Sequence, residues 1–341
     1  MKRDWGMFSS VALLAAGIGV TAAWTTIAEA GKPDGNVAVI NYDSHSMYEY
    51  GTKWDNGYGL GEMALNDTRA VSKKGVFSVS AVPFKTGSDF SVYDHLKYIA
   101  ISHDSFPMPA AGSLEFAVDI EAETPGTQPG RIIHGCYTDT PGCARPYAQP
   151  TIEGQQAGVV LNMVNFQTGQ LFDWFVSGGS VFALIERLPS NVTNPALLPG
   201  DAGYVGLDKA YTQIIKTAPV KPGKKHHVAI RYTRNATQSY VEYFLDGQLF
   251  TRVDHVGIPL DAQGVPYTGT YPAYHGAPGE ELKSQLNSFV IGHGLFSLLD
   301  AFPFRHPAAP DQDVSIPLTE RLFGQGASGQ FSGFTVTAVS S

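Results

Sequence analysis

Beyond residue 24 the chain has no apolar run long enough to cross a bilayer, which needs about 20 residues. It is also short of basic clusters. Lys and Arg total 23 against 31 Asp and Glu, giving a formal net charge of −8. The only basic run is KPGKKHH, Lys221 to His227. That balance argues against nucleic acid and against anionic membrane as partners. No long stretch carries apolar residues at i, i+3 and i+4, so a helical bundle is excluded. There is no HExxH or His-x-His spacing, no Gly-x-Ser-x-Gly elbow, and no Walker or dinucleotide loop. Zinc hydrolysis and nucleotide chemistry therefore have no footing, and no metal ligand set is expected.

What the chain does have begins at its N-terminus. Lys2 and Arg3 precede an apolar stretch from Met7 to Trp24, and Ala28-Glu29-Ala30 supplies small residues for cleavage. This is the pattern of a secretory signal peptide over residues 1–30, leaving one domain over 31–341. The expected product is secreted or periplasmic, with no membrane segment after cleavage. Its two cysteines, Cys136 and Cys143, sit in HGCYTDTPGCARP. In an oxidising compartment they are expected to form a disulfide around Thr140-Pro141-Gly142. A metal would need more ligands than His134 nearby can add.

Period-two runs recur along the whole chain. The clearest are Val76–Phe84, Tyr98–His103, Leu114–Glu123, Gly158–Phe166, Leu171–Gly178, Ser180–Leu188, His226–Arg234, Ser239–Val256, Ser288–Leu299 and Phe331–Val339. Asp246-Gly247 marks a type I′ hairpin, because both central residues of that turn need positive φ. Gly178-Gly179 separates two further strands. Many strands, short turns and little helix predict an antiparallel sandwich or jelly roll. Residues 191–222 and 257–286 are rich in Pro, Gly, Tyr and Asp and read as long loops, a frequent place for function.

The segment KKHHVAIRYTRNATQSYVEYFLDGQLFTRV is similar to the strand and Asp-Gly hairpin of concanavalin-A-like lectin/glucanase and laminin-G-like domains. ISHDSFPMPAAGSLEFAVDIEAETPGT, FALIERLP and GHGLFSLLDAFPF together resemble a group of secreted proteins of that fold without an established activity. The resemblance implies a concanavalin-A-like β-sandwich with long loops. It also implies that one outer sheet face could form a glycan groove. Structural calcium is common in such domains, and Asp43, Asp300 and Asp313 are loop candidates, though no ligand spacing joins them.

The run SLEFAVDIEAETPGT alternates: Leu114, Phe116, Val118, Ile120 and Ala122 on one face, Glu115, Asp119, Glu121 and Glu123 on the other. If the acidic face lines a groove, Asp119, Glu121 and Glu123 could supply an acid and a base or nucleophile for glycoside hydrolysis. That chemistry needs carboxyls about 5–5.5 Å apart for retention or 6.5–9.5 Å for inversion. The family glucanases carry Glu-x-Asp-x-Glu; here the order is Asp-x-Glu-x-Glu, and a plain solvated face fits the pattern too. A second constellation is Asp173 among Phe172, Trp174 and Phe175, with Glu186 and Arg187 on the paired strand. It reads either as an Arg–carboxylate bridge closing the hairpin or as a polar cluster in a pocket. His103, beside Asp104, is either a structural histidine or a member of that cluster. His293 lies between two glycines, which permit close backbone approach by a ligand or another strand.

Three function classes follow. One is a glycoside hydrolase or lyase using Asp119, Glu121 and Glu123. Another is a lectin-like module in which Trp174, Tyr211, Tyr267 and Tyr271, with His293, contact a glycan. The third is a lyase- or isomerase-type enzyme for a small, partly apolar molecule, using His103, Asp173, Glu186 and Arg187. The sequence sets no oligomeric state and requires no cofactor.

Overall fold

A computed structural model describes residues 36–56, 66–86, 95–265, 278–301 and 313–341, with the side chains of 300 and 301 left aside. The expected signal peptide, Tyr267 and Tyr271 lie outside the described residues, as does the side chain of Asp300.

The alternation read in the sequence becomes two packed antiparallel sheets of eight strands each among the described residues. In the first, the order is Gln248–Asp254, Ser239–Leu245, Lys225–Arg234, Gly112–Glu123, Ala327–Ser340, Phe77–Ala81 and Thr68–Val71, with Asn36–Asn41 also paired to Ala327–Ser340. In the second it is Tyr211–Pro219, Ser180–Arg187, Gln170–Val176, Gly158–Asn165, Ser288–Phe296, Leu96–Ser102 and Trp54–Asn56, with Phe106–Pro107 on Ser288–Phe296. The hairpin turn falls at Asp246 and Gly247, with φ of 50° and 78°. The Gly178-Gly179 turn is closed by Ser177 donating to the Ser180 carbonyl at 2.8 Å.

The inner faces form one core. Leu114, Phe116, Val118, Ile120 and Ala122 meet Val159, Leu161, Met163, Phe172, Trp174 and Ile185 from the opposite layer, all buried. The Trp174 indole donates to the Ala229 carbonyl at 2.9 Å, so its one polar atom is satisfied inside the core.

The second sheet is unusual for an antiparallel one, because its outer face is covered as well. Ile99, Ile101, Val160, Phe175, Phe182 and Leu184 form a second apolar cluster with Ile133, Val314 and Ile316. Ile133 and Val314 come from a small third sheet of Val314–Ser315, Ile132–Tyr137 and Pro146–Pro150, and Ile316 directly follows it. Cys136 and Cys143 are joined as expected, with Cα atoms 5.2 Å apart, and so close that small sheet. Every residue of Gly158–Asn165 and Gln170–Val176 is buried in consequence.

Residues 191–222 are not wholly loop. Tyr211–Pro219 forms the edge strand of the second sheet, paired with Ser180–Arg187. Its apolar side is short and interrupted by Thr212 and Gln213, so period two is weak there.

If alternation holds the layers together, two neighbours on one strand must behave oppositely. Truncating fully buried Phe116 to Ala is expected to cost about 3–5 kcal/mol. Glu115→Ala removes only a half-exposed pair with Arg231 and should cost under about 1 kcal/mol. Urea unfolding of both variants checks this; comparable losses would contradict the layering.

Candidate functional site

The acidic strand Gly112–Glu123 lies in the middle of the first sheet, and its carboxylates face outward. Two of them are tied to side chains of the neighbouring strand. Glu115 accepts from Arg231 Nε at 2.8 Å, and Asp119 accepts from His227 Nδ1 at 2.8 Å. Their partners come from Lys225–Arg234, whose register sets Arg231 opposite Glu115 and His227 opposite Asp119. Glu121 and Glu123 instead border an opening of about 320 Å³. Thr68, Arg69, Ala70, Ser78, Val79, Ser80, Ser328, Gly329 and Gln330 line the rest of it. Hydroxyl, amide and carboxylate groups therefore face the space together. Asp119 belongs to its own ion pair rather than to this lining.

Asp173 sits on the opposite layer. Strand alternation sends Phe172 and Trp174 into the sandwich core and turns Asp173 to the covered outer face of the second sheet. There it pairs in register with Asn162 on one side and Leu184 on the other. Glu186 is diagonal to it, opposite Leu171 and Thr212. Diagonal positions are about 7–8 Å apart at Cα, within reach of a Glu side chain. Asn162 Nδ2 donates to Asp173 Oδ1. Thr212 donates to Glu186 at 2.9 Å. Asp173 and Glu186 interact electrostatically across this diagonal.

Burial and the neighbouring Glu186 raise the Asp173 carboxyl well above its ordinary range. Burial raises Glu186 as well. Among the described residues no Lys, Arg or His pairs with either carboxyl. Asn162 Oδ1 and Asp173 Oδ2 accept no N–H or ordinary hydroxyl donor, although Asn162 is 1% exposed and Asp173 is 0% exposed. Sequence reading missed Asn162 and Thr212. The signal for Asn162 was available, since it is the one polar residue inside the apolar run Gly158–Val164.

Arg187 does not join the pair. As the next residue after Glu186 it points to the other face, donating from Nε to the Thr168 carbonyl at 3.2 Å. Its ion partner is Glu280, at 3.6 Å, which Lys209 shares at 2.9 Å. Hydrogen bonds from Lys209 and Gln285 hold Glu280 down to about 2. An Arg187–Asp173 bridge is thus excluded by strand alternation. His103 is also remote: its strand lies three places from that of Asp173, roughly 14 Å at 4.7–4.9 Å per strand. It is exposed, with Nδ1 at 3.0 Å from the Thr52 carbonyl.

Trp174 and Tyr211 are both 0% exposed, so neither offers a ring face to a glycan. The Tyr211 hydroxyl donates to Gln170 at 3.2 Å inside the molecule. His293 is likewise buried, in the sandwich interior, with Trp54, Phe77, Phe331 and Phe334 ring centroids 4.6–5.1 Å away. Its Nε2 is 2.7 Å from the Tyr50 hydroxyl, which is 2.7 Å from the Tyr98 hydroxyl. Tyr98 donates to Asn56 Oδ1 at 2.7 Å. Running the donors in one direction assigns the proton to Nε2 and leaves Nδ1 as a bare acceptor. Burial lowers the His293 pKa to about 3, so the ring is neutral.

No group of three or more His, Cys, Asp or Glu among the described residues could hold a metal ion. Asp43, a calcium candidate, instead accepts from the Phe334 amide at 2.8 Å. Asp313 is buried beside the small third sheet.

The layers, strand order and antiparallel register define a two-layer antiparallel β-sandwich. Within it, the chain belongs to a family described as of unknown function (DUF6081), matched over residues 66–340. No curated protein matches it. The chain is similar to an endo-1,3-β-glucanase from Streptomyces sioyaensis, at 10% identity over 92% of this chain and 96% of that one, TM-score 0.39. It is also similar to an inactivated mutant β-agarase B in complex with agaro-octaose, at 11% identity over 91% and 96%, TM-score 0.43. A legume lectin-like domain from Entamoeba histolytica matches at 8% identity over 87% and 95%, TM-score 0.36.

Two pH effects of opposite sign follow. His293 is neutral when folded but gains a proton below about pH 6.5 when unfolded. Stability is therefore lost as pH falls from about 6.5 towards 3, by about 3 kcal/mol at pH 4. In His293→Gln the acid limb of a urea-stability profile should be shallower by that amount; an unchanged slope would refute a neutral buried ring. For Asp173 the folded pKa is raised, so its contribution is complete below the unfolded value near 4 and is lost as pH rises above it. Asp173→Asn should accordingly flatten the decline of stability from acid to mildly alkaline pH. An alkaline decline as steep as in the parent would show that the pair does not hold its proton.

Proposed function

We propose that this chain is an exported, carbohydrate-directed protein that binds a neutral glycan at the opening beside Glu121 and Glu123. One observation carries the reading: an open space of about 320 Å³ lined by hydroxyl, amide and carboxylate groups together with Arg69, Ala70, Val79 and Gly329. A saccharide presents hydroxyls as both donors and acceptors, and such a lining answers both roles. Glu121 and Glu123 point to the same side of one strand, about 6.6–6.8 Å apart at Cα, a spacing that suits adjacent hydroxyls on one sugar. The carboxylates disfavour sulfated or uronate chains by like-charge repulsion, in keeping with the net charge of −8. The disulfide supports an oxidising, extracytoplasmic setting. Among the described residues no helix is long and apolar enough to cross a membrane.

The test is retention on immobilised neutral glycans, with an assay for released reducing ends alongside. The expected result is retention without cleavage, reduced about tenfold or more in Glu121→Gln/Glu123→Gln, since hydrogen bonds to charged groups contribute about 1.5–3 kcal/mol. Retention that survives the double substitution would remove the opening as the binding site. Cleavage lost in Glu121→Gln alone would replace binding by glycoside hydrolysis.

A further inference from the structure

The outer strands of the two large sheets differ in how they are protected. A sheet edge exposes unpaired N–H and C=O groups, and proteins blunt it with charge, proline, a bulge or shortness. Gln248–Asp254 carries Arg252, Asp254 and a bulge against its neighbour. Tyr211–Pro219 carries Lys216, Pro219 and another bulge. Thr68–Val71 is four residues with Arg69, Trp54–Asn56 is three with Asp55, and Phe106–Pro107 is two. Asn36–Asn41 has none of these devices. It is six residues long, uncharged, without proline and in unbroken register with Ala327–Ser340. Among the described residues no strand pairs with its other side.

The direction of its free groups follows from the flanking bonds. The Tyr42 amide donates to the Phe334 carbonyl at 2.8 Å, so the residues in phase with Tyr42 (Ile40, Ala38 and Asn36) bond to Ala327–Ser340. The Ser341 amide donates to the Ala111 carbonyl at 3.1 Å, on the far side of that strand, which fits the same phase. Val37, Val39 and Asn41 therefore turn their backbone N–H and C=O away from the sheet. The side chains of Val37 and Val39 are exposed on its outer face.

We propose that Asn36–Asn41 is a self-association edge, through which two copies of the chain pair antiparallel about a twofold axis at Val39.

Geometry and charge both select a second copy as the occupant. A twofold contact must be self-complementary. With the axis at Val39, that residue faces Val39 of the second copy, and Val37 faces Asn41 in both directions. All are residues whose backbone groups point outward. Each facing pair exchanges two backbone hydrogen bonds, about six in all. Val37 of each copy then lies diagonal to Val39 of the other, so the exposed valines cover one another. The net charge of −8 opposes association of two copies through most of the surface. Asn36 to Tyr42 carries no charge, nor do Thr335, Thr337 and Val339 beside it. Facing residues of an antiparallel pair project to the same side, so the openings beside Glu121 and Glu123 of both copies would face one way.

The test is sedimentation of the purified exported chain over rising concentration. A reversible shift from monomer to dimer at high micromolar protein is expected. Val39→Lys and Val39→Glu each set like charges opposite one another at the axis, and each should weaken the dimer at least about tenfold. Mixing these two variants in equal amounts should restore it, because Lys then faces Glu. Facing Cα atoms are about 5.5 Å apart in a hydrogen-bonded pair, within disulfide range. Val39→Cys should therefore cross-link on oxidation, the native cysteines being already paired. Leu249→Cys, equally exposed on another edge strand, should not. A chain that stays monomeric throughout overturns the proposal. So does a dimer that survives both charged variants, a mixture that stays monomeric, or cross-linking as fast through Leu249→Cys. Should a charged variant fail to fold, the cysteine pair decides.

Discussion

Burial of both faces of the second sheet is the constraint from which the rest of the molecule follows. An antiparallel sheet normally keeps one face in water and can place polar residues there freely. Here the small third sheet, closed by Cys136–Cys143, takes that freedom away over the Val160, Phe175 and Phe182 region. The strands Gly158–Asn165 and Gln170–Val176 read as apolar runs for this reason. Polar side chains left on the covered face must then find partners within the protein, and Asn162, Asp173, Thr212 and Glu186 do so among themselves.

The first sheet faces the opposite situation, and the same residue type behaves differently on it. Its outward carboxylates stay in water. Glu115 and Asp119 meet Arg231 and His227 because the neighbouring strand alternates in phase with them. Such exposed pairs add little stability. Lys225, in register opposite Glu121, reaches the Ser332 hydroxyl instead, at 3.3 Å. Glu121 and Glu123 are the ones left over, and they are the two that border the opening. The row of acids is thus divided into a part hydrogen-bonded across the strands and a part that borders the opening.

Most of the architecture was legible in the sequence, and specific residues show why. Leu114 to Glu123 alternates without interruption, and Asp246-Gly247 leaves few turn types open, so strand and hairpin could be placed. Tyr211–Pro219 could not, since an edge strand that mixes Thr, Gln and Lys carries little periodic signal. The short pieces Ile132–Tyr137 and Pro146–Pro150 were hidden by their prolines and glycines. Without them nothing in the sequence reveals that the second sheet has a roof, and so Asp173 could be paired with Arg187 on paper. One residue of phase separates Glu186 from Arg187, and that single step puts them on opposite faces.

Sites were harder to read than layers because a site depends on which face is closed, a property of distant segments. Trp174 and Tyr211 have the composition of sugar-stacking residues, yet strand phase commits both to the interior. His293 illustrates the same point with a polar group. Flanking glycines suggested approach by a ligand, but what approaches is protein: Tyr50 and Tyr98 complete a donor chain to Asn56, and aromatic rings fill the remaining contacts. An imidazole so enclosed cannot be charged at neutral pH and is better understood as a polar pin in the core.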